Sequence, residues 1–457
     1  MSPQPDLARL TGAAATQADA GLRCGAGAAS WRDAARGTIL RGRRSELAGK
    51  SVLIGASSQF AAALTLLELD GVASRMVITP PDFTSERVAS AISQSQVDAI
   101  VCDDDSLDFG AVRPRYVISA LSPEDAPRGE TVATEWVLPT SGTTGAPKLV
   151  AHRLGGLLGA VRPRAAGEKA PVWSTFYDIR RYGGMQIFLR AATSGATLLV
   201  TESGEPLADH VSRMAEAGVT HLSGTPSHWR RLLMSPDAAR ISPRYVRLSG
   251  EIADRAILEA VKVVYPNATI VHAYASTEAG VGFEVTDGLE GFPASYLDRL
   301  GEVEMRVVDG SLRLRSRRTA QRYIGRDDLS LSDSDGFVDT DDLVERVGDR
   351  YFFKGRRAGT INVGGLKVHP EEVEQVINMH EAVRMSLVRA RRNPITGDLI
   401  VAQVMLKDVE APAERKRALK VEILANCRTR LDRHKTPTAI DFVPALAISA
   451  GGKILRG

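Results

Sequence analysis

The stretch TSGTTGAPK, residues 140–148, decides how this sequence is interpreted. It lies between two short apolar runs, residues 136–138 and 149–150, that predict buried strands. Its glycines let the backbone turn several N–H groups toward one point, and its hydroxyls and lysine ammonium add donors there. The stretch predicts a loop that cradles an anion, and a polyphosphate fits best. A Ser/Thr/Gly-rich surface turn without a ligand is the alternative, because turns favour these residue types.

The spacing of this loop excludes the most familiar nucleotide-binding loop, which needs Gly-x4-Gly-Lys-Ser/Thr. Gly142 and Gly145 are only three residues apart, and Lys148 is followed by Leu149. Any phosphate site at this position must therefore be of another kind.

The composition is that of an ordinary globular protein with room for more than one domain. The chain has 457 residues, of which 44% are hydrophobic and 25% are charged. Its 58 Lys and Arg residues nearly balance 55 Asp and Glu residues, which gives a net charge of +3. So small a net charge does not favour nucleic acid, and we expect no nucleic-acid partner.

The cysteines and the N-terminal residues predict a cytoplasmic protein. Cys24, Cys102 and Cys427 lie far apart, show no metal-type spacing, and are expected to be reduced thiols. Residues 1–27 lack the charged-then-apolar order of a secretory signal. No apolar run approaches the ~18 residues that a membrane-spanning helix needs. We therefore expect neither export nor a membrane partner.

Short apolar runs alternate with helical patterns from residue 50 onward, which predicts βαβ units and a largely parallel sheet. The predicted strands are residues 51–54, 76–78, 97–102, 197–200, 219–222, 245–248 and 269–271, and the predicted helices are residues 60–69, 86–95, 208–217 and 253–264. Between residues 302 and 315 short alternating strands predict a β-rich appendage. The fold class is therefore α/β, with mainly parallel α/β layers.

The pattern changes beyond Gly355. Residues 371–379 and 414–431 predict helices, and residues 384–391 and 399–405 predict strands. Such a segment makes a separate small α+β domain. We predict a large domain at residues 1–355 and a small C-terminal domain at residues 356–457, joined at a polar, glycine-flanked stretch.

Four later stretches give the opening loop its meaning. They are YASTEAG (residues 274–280), DGFVDTDDL (335–343), YFFKGRRAGTINVGGLKVHPEEVE (351–374) and GGKILRG (451–457). In this order and at these separations, the five stretches resemble the adenylate-forming superfamily. That superfamily includes acyl- and aryl-CoA synthetases, adenylation domains of peptide synthetases, and luciferases. The resemblance runs from about residue 50 to the last residue, and the chain is most similar to a stand-alone acyl- or aryl-CoA ligase.

The resemblance implies a two-step reaction. A carboxylic acid attacks the α-phosphorus of ATP and expels pyrophosphate, and a thiol then attacks the acyl-adenylate and releases AMP. It also implies ATP, Mg²⁺ and CoA as cofactors, with the phosphopantetheine of a carrier protein as the alternative to CoA. The C-terminal domain is then expected to be mobile, because the family uses it as a lid.

The resemblance assigns ATP binding to the phosphate loop and to matching positions downstream. Those residues are Thr140, Ser141, Gly142, Thr143, Thr144, Gly145, Lys148, Gly250, Glu251, Tyr274, Ala275, Ser276, Asp342 and Arg356. Tyr274 matches the aromatic residue that stacks on adenine, Asp342 takes both ribose hydroxyls, and Arg356 also binds the ribose. Without the family, Tyr274 is an ordinary sheet-edge residue and Asp342 belongs to a solvated acidic turn.

The catalytic assignments are Thr277, Glu278 and Lys453. Thr277 matches a donor to the α-phosphate, Glu278 and Thr140 match the magnesium site, and Lys453 bridges the substrate carboxylate and the α-phosphate region. Taken alone, a Thr-Glu pair is more often a helix start. A Gly-Gly-Lys near a terminus is taken alone as a frayed tail.

The acceptor and the acid are less clearly specified. Gly364, Gly365 and Lys367 match the loop that enters the site for thioester formation, and a plain glycine turn is the alternative. The acyl pocket is assigned to Tyr177, Asp178, Tyr182 and Ser249, and its tyrosines suit an aryl or short acid. Asp178 has a second interpretation as the partner of a substrate amino group. We expect the enzyme to prefer acids without an amine.

Departures from the family pattern concern domain motion and the pocket floor, and none of them removes a catalytic group. Ala358 stands at the hinge where the family has Asp or Lys, so the charge that biases domain rotation is missing. Thr340-Asp341-Asp342 replaces the usual Thr-Gly-Asp. Two alternatives to an acyl- or aryl-CoA ligase stay open. The first is an enzyme that loads an aryl or amino acid onto a carrier protein, and the second is a non-catalytic nucleotide-binding homologue. We expect a monomer or a homodimer.

Overall fold

The computed structural model describes residues 5–104, 109–110, 112, 114–124, 128–129, 131–140, 147–164, 167–299, 301–393 and 397–447. In these residues the strands form an eight-stranded sheet, a seven-stranded sheet, two five-stranded sheets and a small two-stranded one. Helices that include Gln59–Leu69 and Tyr182–Ser194 pack against the two largest sheets, as the alternating sequence pattern predicts.

The eight-stranded sheet carries most of the assigned site residues. Its strands lie in the spatial order Gly280–Val285, Thr269–Ser276, Tyr245–Ser249, His221–Gly224, Val172–Thr175, Thr197–Leu199, Gly21–Arg23 and Ala28–Ser30. The inner strands pair in parallel, and the two edge strands are antiparallel. The carboxyl ends of the parallel strands therefore meet at one edge, where open α/β sheets bind ligands.

The seven-stranded sheet carries the phosphate loop. Its strands lie in the order Arg322–Ile324, Leu149–His152, Glu135–Pro139, Arg75–Ile78, Ser51–Gly55, Ala99–Cys102 and Arg115–Val117. The two strands that flank the loop pair antiparallel, with Val150 opposite Leu138. The loop thus connects neighbouring strands, as the apolar runs on either side of it predict.

One hydrophobic core joins the two large sheets. It contains Leu198 of the first sheet, Ile54 of the second, and Leu66 and Phe188 from helices between them. The α-helices are Leu7–Ala14, Trp31–Arg36, Gln59–Leu69, Ser85–Ser95, Leu154–Leu158, Tyr182–Ser194, Leu207–Glu216, Pro226–Leu232, Arg255–Val264, Pro370–Asn378 and Ala413–Arg430. Within the described ranges, no helix combines the length and apolarity needed to cross a bilayer.

Two antiparallel units follow the parallel sheets. The first has strands Phe292–Pro293, Arg350–Arg356, Val338–Val347, Ser311–Ser316 and Val303–Val308, and corresponds to the predicted β-rich appendage. The second has strands Leu366–Val368, Ile361–Val363, Gly397–Leu406, Val383–Asn393 and Ala439–Phe442. With its helices, the second unit has a hydrophobic core of its own. A C-terminal α+β unit of this kind is what the sequence predicts, while the boundary at residue 355 stays a prediction.

The structure has helices and strands before residue 50, where the sequence pattern predicts none. Asp70, buried at 3% exposure, explains part of their packing. Its Oδ2 accepts the Leu7 N–H at 2.7 Å, and its Oδ1 accepts the Trp136 Nε1–H at 2.8 Å. Burial raises the pKa of Asp70 to about 6. Because these contacts join residues more than sixty positions apart, local patterns do not reveal them.

Candidate active site

A tight turn presents Thr277 and Glu278. The strands Thr269–Ser276 and Gly280–Val285 pair antiparallel, with Ser276 opposite Gly280. Gly280 has φ +80°, and a Cβ there would lie 2.5 Å from the Arg318 carbonyl oxygen, so only glycine fits. The first strand extends beyond the predicted residues 269–271, so Tyr274, Ala275 and Ser276 lie inside it and Thr277 and Glu278 come directly after it.

Two hydrogen bonds hold the backbone of this turn. The ring of His152 bonds through Nε2 to the Thr277 carbonyl oxygen at 2.9 Å. The Ala320 N–H donates to the Glu278 carbonyl oxygen at 2.9 Å. His152 ends the strand that leaves the phosphate loop. The turn is therefore attached to the same strand that positions the loop.

The Glu278 side chain is half-buried. Its side chain is neither fully covered nor fully exposed, and no residue that the structure describes donates a hydrogen bond to it or forms an ion pair with it. A carboxylate that is held on a rigid turn and makes no hydrogen bond or ion pair with the described residues is available to a bound cation.

The base of the phosphate loop is closed by its backbone. The Thr140 N–H donates to the Lys148 carbonyl oxygen at 2.9 Å, directly where the two flanking strands end. Lys148 is exposed. The assigned residues Ser141, Gly142, Thr143, Thr144 and Gly145 lie outside the described residues, as does Lys453. Thr140 and Lys148 thus fix where the loop starts and ends.

Three residues assigned to the nucleoside meet in the structure. The Tyr274 hydroxyl donates to Asp342 Oδ2 at 2.5 Å, and Arg356 Nε donates to Asp342 Oδ1 at 3.2 Å. Asp342 and Arg356 are directly opposite each other on paired strands of the antiparallel sheet. Tyr274 comes from the eight-stranded sheet, so two sheets combine to build this group.

The Tyr274 ring lies against two phenylalanines. Its centroid is 5.5 Å from Phe283 and 5.2 Å from Phe353, and both pairs are close to parallel. Burial of the ring, together with the Asp342 carboxylate beside the hydroxyl, raises the pKa of Tyr274. The hydroxyl therefore stays protonated and acts as a donor. Stacking of adenine on Tyr274 stays a prediction.

The side chains assigned to the acyl pocket already have protein partners. The hydroxyl of buried Tyr177 donates to the Ser249 carbonyl oxygen at 2.6 Å and lies 2.9 Å from its Oγ. Tyr182 is buried beside His152, with a centroid distance of 5.6 Å. Burial raises the pKa of both tyrosines. The two tyrosines are therefore neutral and fixed in position, as walls of the assigned acyl pocket.

Asp178 is engaged by Arg180 in a two-pronged ion pair. Arg180 Nε donates to Asp178 Oδ1 at 2.8 Å, and a terminal guanidinium nitrogen lies 2.6 Å from Oδ2. Arg180 is 2% exposed and also donates to the carbonyl oxygens of Ala56 and Ser57. Asp178 therefore neutralises a buried protein cation, which leaves it poorly suited to bind a substrate amine.

The remaining assigned residues occupy turns. Gly250 has φ +83°, and the Ser227 N–H donates to Glu251 Oε2 at 2.9 Å. Gly364 and Gly365, at φ +59° and +88°, form a two-residue hairpin turn between Ile361–Val363 and Leu366–Val368. Lys367 follows that turn and is exposed. Ala358, the hinge position, lies in the short helical turn Arg357–Gly359, which begins directly after the strand Arg350–Arg356.

A separate cavity of about 600 Å³ lies farther along the same carboxyl edges. It is lined by Ser57, Thr79 and Glu202 and by three phenylalanines, and none of the assigned site residues that the structure describes lines it. The Arg180 side chain reaches its wall through the carbonyl oxygen of Ser57.

Sequence reasoning missed His152 and the role of Arg180. His152 lies two residues beyond the predicted strand at residues 149–150, but its contact with Thr277 joins residues 125 positions apart. Arg180 is buried, although arginine is mostly an exposed residue type. The apolar residues around it, which include Ile179, are the one local signal for that burial.

Comparison with known proteins identifies the family. The model of the AMP-binding enzyme family matches residues 58–318, and that of the AMP-binding enzyme C-terminal domain matches residues 372–453. An acyl-coenzyme A synthetase of Mus musculus mitochondria is 26% identical over 410 residues, which cover 81% of this chain and 70% of that protein. A p-hydroxybenzoic acid–AMP ligase of Mycobacterium tuberculosis is 28% identical over 339 residues, or 70% of this chain. The match spans only 47% of that ligase, about half its length.

A solved structure has the same fold over nearly its whole length. The amide bond synthetase from Marinactinospora thermotolerans superposes with a TM-score of 0.79 at 20% identity, covering 98% of this chain and 97% of that one. The first family model alone matches more than half of the chain. The chain belongs to the family of AMP-binding, adenylate-forming enzymes.

Proposed function

We propose that this protein is an ATP-dependent acid–thiol ligase. An oxygen of the substrate carboxylate attacks the α-phosphorus of ATP, and the bond to the leaving pyrophosphate breaks. The acyl-AMP that results is attacked at its carbonyl carbon by a thiolate, and AMP leaves with the original carboxylate oxygen. The observation that carries this proposal is the meeting of Tyr274, Asp342 and Arg356 near the turn that bears Glu278.

Asp342 is suited to bind a ribose. Its carboxylate accepts hydrogen bonds from Tyr274 and Arg356, which fix its orientation before a ligand arrives. Each carboxylate oxygen has two lone pairs, so both retain the capacity to accept from a vicinal diol. Arg356 lies close enough to Glu278 for that carboxylate to favour its charged form. Asp342 can thus accept hydrogen bonds from the ribose diol, and the Arg356 cation beside it lies toward Glu278, where the phosphates are proposed to bind.

Glu278 fits a magnesium site of the kind that ATP enzymes use. Mg²⁺ is usually held by one or two carboxylates together with substrate phosphates, rather than by a closed cage of protein ligands. Among the described residues there is no cluster of three or more metal-ligating side chains, and none of them forms a hydrogen bond or an ion pair with Glu278. We propose that Glu278 and Thr140 hold Mg²⁺. When bound, the cation neutralises charge on the phosphates as the carboxylate approaches.

The acid that fits best carries no amino group. Tyr177 and Phe176 lie against His228, whose ring is stacked on Phe176 with a centroid distance of 5.4 Å. Burial lowers the pKa of His228 to about 3, so this wall is neutral and aromatic. Asp178 is occupied by Arg180. We propose an aryl or short carboxylic acid, and the M. tuberculosis ligase named for p-hydroxybenzoic acid supports that class.

CoA is the simplest acceptor for the thioester step. The acyl-coenzyme A synthetase among the relatives supports this choice, and a carrier protein is the second candidate because its phosphopantetheine presents the same thiol. The turn at Gly364 and Gly365 has open space around both glycines, since a Cβ on either would meet nothing within 4 Å. A pantetheine arm would pass close to such a backbone without a side-chain clash.

A pyrophosphate-release screen tests the proposed function. The purified protein is incubated with ATP, Mg²⁺ and a panel of aryl, short aliphatic and amino acids, with and without CoA. We expect release that depends on the acid, with AMP and an acyl-CoA as products when CoA is present. Equal release with and without acid would contradict the proposal, as would ADP in place of AMP. Adenylation without transfer to CoA would redirect the second step to a carrier protein.

A further inference from the structure

His152 is a buried histidine with one partnered and one unpartnered ring nitrogen. The residue is 1% exposed. Its Nε2 lies 2.9 Å from the Thr277 carbonyl oxygen. Its Nδ1 is buried and has no hydrogen-bond partner in the part of the chain that the structure describes. Buried polar atoms without a partner are rare in native proteins, so this one needs an explanation.

The bond to Thr277 fixes the protonation of the ring. A carbonyl oxygen only accepts hydrogen bonds, so Nε2 carries the proton and donates it. Burial lowers the pKa of His152 to about 4, so the ring is neutral at neutral pH. Nδ1 is then an unprotonated acceptor. The unpaired acceptor costs free energy, which a leucine at this position would avoid.

The cost is offset by a connection between two parts of the site. His152 is the last residue of the strand that leaves the phosphate loop, whose base is closed by the Thr140–Lys148 backbone bond. A second tie runs parallel to the first, because the Gln321 N–H donates to the Ala151 carbonyl oxygen and the neighbouring Ala320 N–H donates to the Glu278 carbonyl oxygen. The Thr277–Glu278 turn is therefore attached to the strand Leu149–His152 in two ways, by the His152 side chain and by backbone hydrogen bonds through residues 320 and 321.

We propose that His152 is a positioning residue for adenylation, which holds the Thr277–Glu278 turn at a fixed distance from the phosphate loop. The proposal rests on the proposed function for the roles of Thr277 and Glu278. Among the described residues the Thr277 carbonyl group is the hydrogen-bond partner of the ring, so the effect of His152 passes through that group. Groups that act on one triphosphate must keep their spacing closely, since a displacement of about 1 Å can cost roughly 10²-fold in rate.

Two substitutions separate the donor from the ring. His152→Phe keeps an aromatic ring beside Tyr182 but removes the Nε2 donor. His152→Gln removes the ring but places an amide N–H near the position of Nε2. We expect His152→Phe to weaken equilibrium ATP binding roughly 10-fold and to slow acid-dependent pyrophosphate release roughly 10²-fold. His152→Gln is expected to recover most of both losses.

Trp31→Phe is the matched control. Trp31 is fully buried and its Nε1–H donates to the Ala196 carbonyl oxygen at 2.6 Å, so this change also removes a buried ring donor from a backbone carbonyl. We expect it to lower thermal stability without changing ATP affinity or the rate per folded molecule. If His152→Phe behaves like Trp31→Phe, or if His152→Gln is as impaired as His152→Phe, the positioning role is wrong.

Two readouts keep the inference separate from the proposed function. ATP affinity is measured by calorimetry without acid, so it tests the role of His152 even if the unaltered protein activates no acid in the screen. The nitrogen-15 spectrum of the unaltered protein should show His152 as the neutral Nε2–H form at neutral pH. A charged ring or an Nδ1–H form would overturn the proposal even if His152→Phe failed to fold.

Discussion

The proposed nucleotide end and the proposed acid end of the site are built in opposite ways. At the nucleotide end, Glu278 has no partner among the described residues, and Asp342 keeps acceptor capacity beyond its bonds to Tyr274 and Arg356. At the acid end, Tyr177 is bonded to Ser249 and Asp178 is neutralised by Arg180. The first end offers free ligating atoms, whereas the second offers fixed walls.

This difference shows which part of the function can be recognised from a sequence. Phosphates, a ribose and a cation need particular charged groups, and those groups recur at recognisable positions. A pocket for an organic acid is defined by shape, and many side chains make similar walls. Each prediction below challenges one end of the site.

The largest effect is expected at Glu278. Glu278→Gln keeps the size of the side chain but removes the charge that would hold Mg²⁺. We expect acid-dependent pyrophosphate release to fall roughly 10³-fold, with little change in thermal stability because no described residue depends on that carboxylate. Glu259→Gln, on an exposed helix face, is the control and should leave the rate unchanged. Wild-type rates for Glu278→Gln at limiting Mg²⁺ would remove Glu278 from the metal site.

A comparable but selective effect is expected at Lys453. Lys453→Ala should slow acyl-adenylate formation roughly 10²-fold, because its ammonium is proposed to offset repulsion between the carboxylate and the α-phosphate. Thioester formation from supplied acyl-adenylate should be nearly unaffected. Gly365→Trp should show the reverse pattern, and Gly365→Asn, which tolerates positive φ, is its control. If both Lys453→Ala and Gly365→Trp slow the two half-reactions equally, domain alternation does not operate here.

A stability effect is expected at the acid end. Asp178→Asn leaves the buried Arg180 guanidinium without its counter-charge and should lower the free energy of unfolding by about 2 kcal/mol. Rates with amine-bearing and amine-free acids should fall together. Asp82→Asn breaks the more exposed pair with Arg181, and should cost less than about 1 kcal/mol. A selective loss of amino-acid activation in Asp178→Asn would show that Asp178 binds a substrate amine.

The smallest effect is expected at Tyr274. Tyr274→Phe removes the hydroxyl that orients Asp342 but keeps the ring beside Phe283 and Phe353. We expect the KM for ATP to rise several-fold, on the scale of about 1 kcal/mol for one hydrogen bond. Tyr265→Phe, which breaks a buried hydroxyl bond to Ala238, is the control and should not change that KM. A rise of several hundred-fold would give the hydroxyl a direct role with the nucleotide.

Much of the fold is predictable because its signals are local. The strand Ser51–Gly55 and the helices Ser85–Ser95 and Leu207–Glu216 follow the apolar periodicity closely. The N-terminal segments escape prediction because Gly21–Arg23 and Ala28–Ser30 are too short to show a period. They become strands because they extend the edge of the eight-stranded sheet, which is a tertiary effect.

The site residues likewise fall into those that local motifs reveal and those that depend on long-range contacts. Asp342 and Arg356 are recognisable from motifs, and their pairing follows from the hairpin of two adjacent strands. The engagement of Asp178 by Arg180 requires burial that comes from Ala56 and Ser57, far away in sequence. His152 similarly gains its role from a turn in another sheet. Long-range contacts of this kind leave no mark on local sequence.

The proposed reaction requires the substrate carboxylate to attack the α-phosphorus of ATP. An oxygen-18 transfer experiment shows which phosphorus is attacked. A carboxylic acid labelled in both oxygens is incubated with the protein, ATP, Mg²⁺ and CoA, and the products are analysed by mass spectrometry. The account predicts one labelled oxygen in AMP, unlabelled pyrophosphate and an acyl-CoA that keeps the other label. Label in orthophosphate together with ADP would show attack at the γ-phosphorus and would contradict the account.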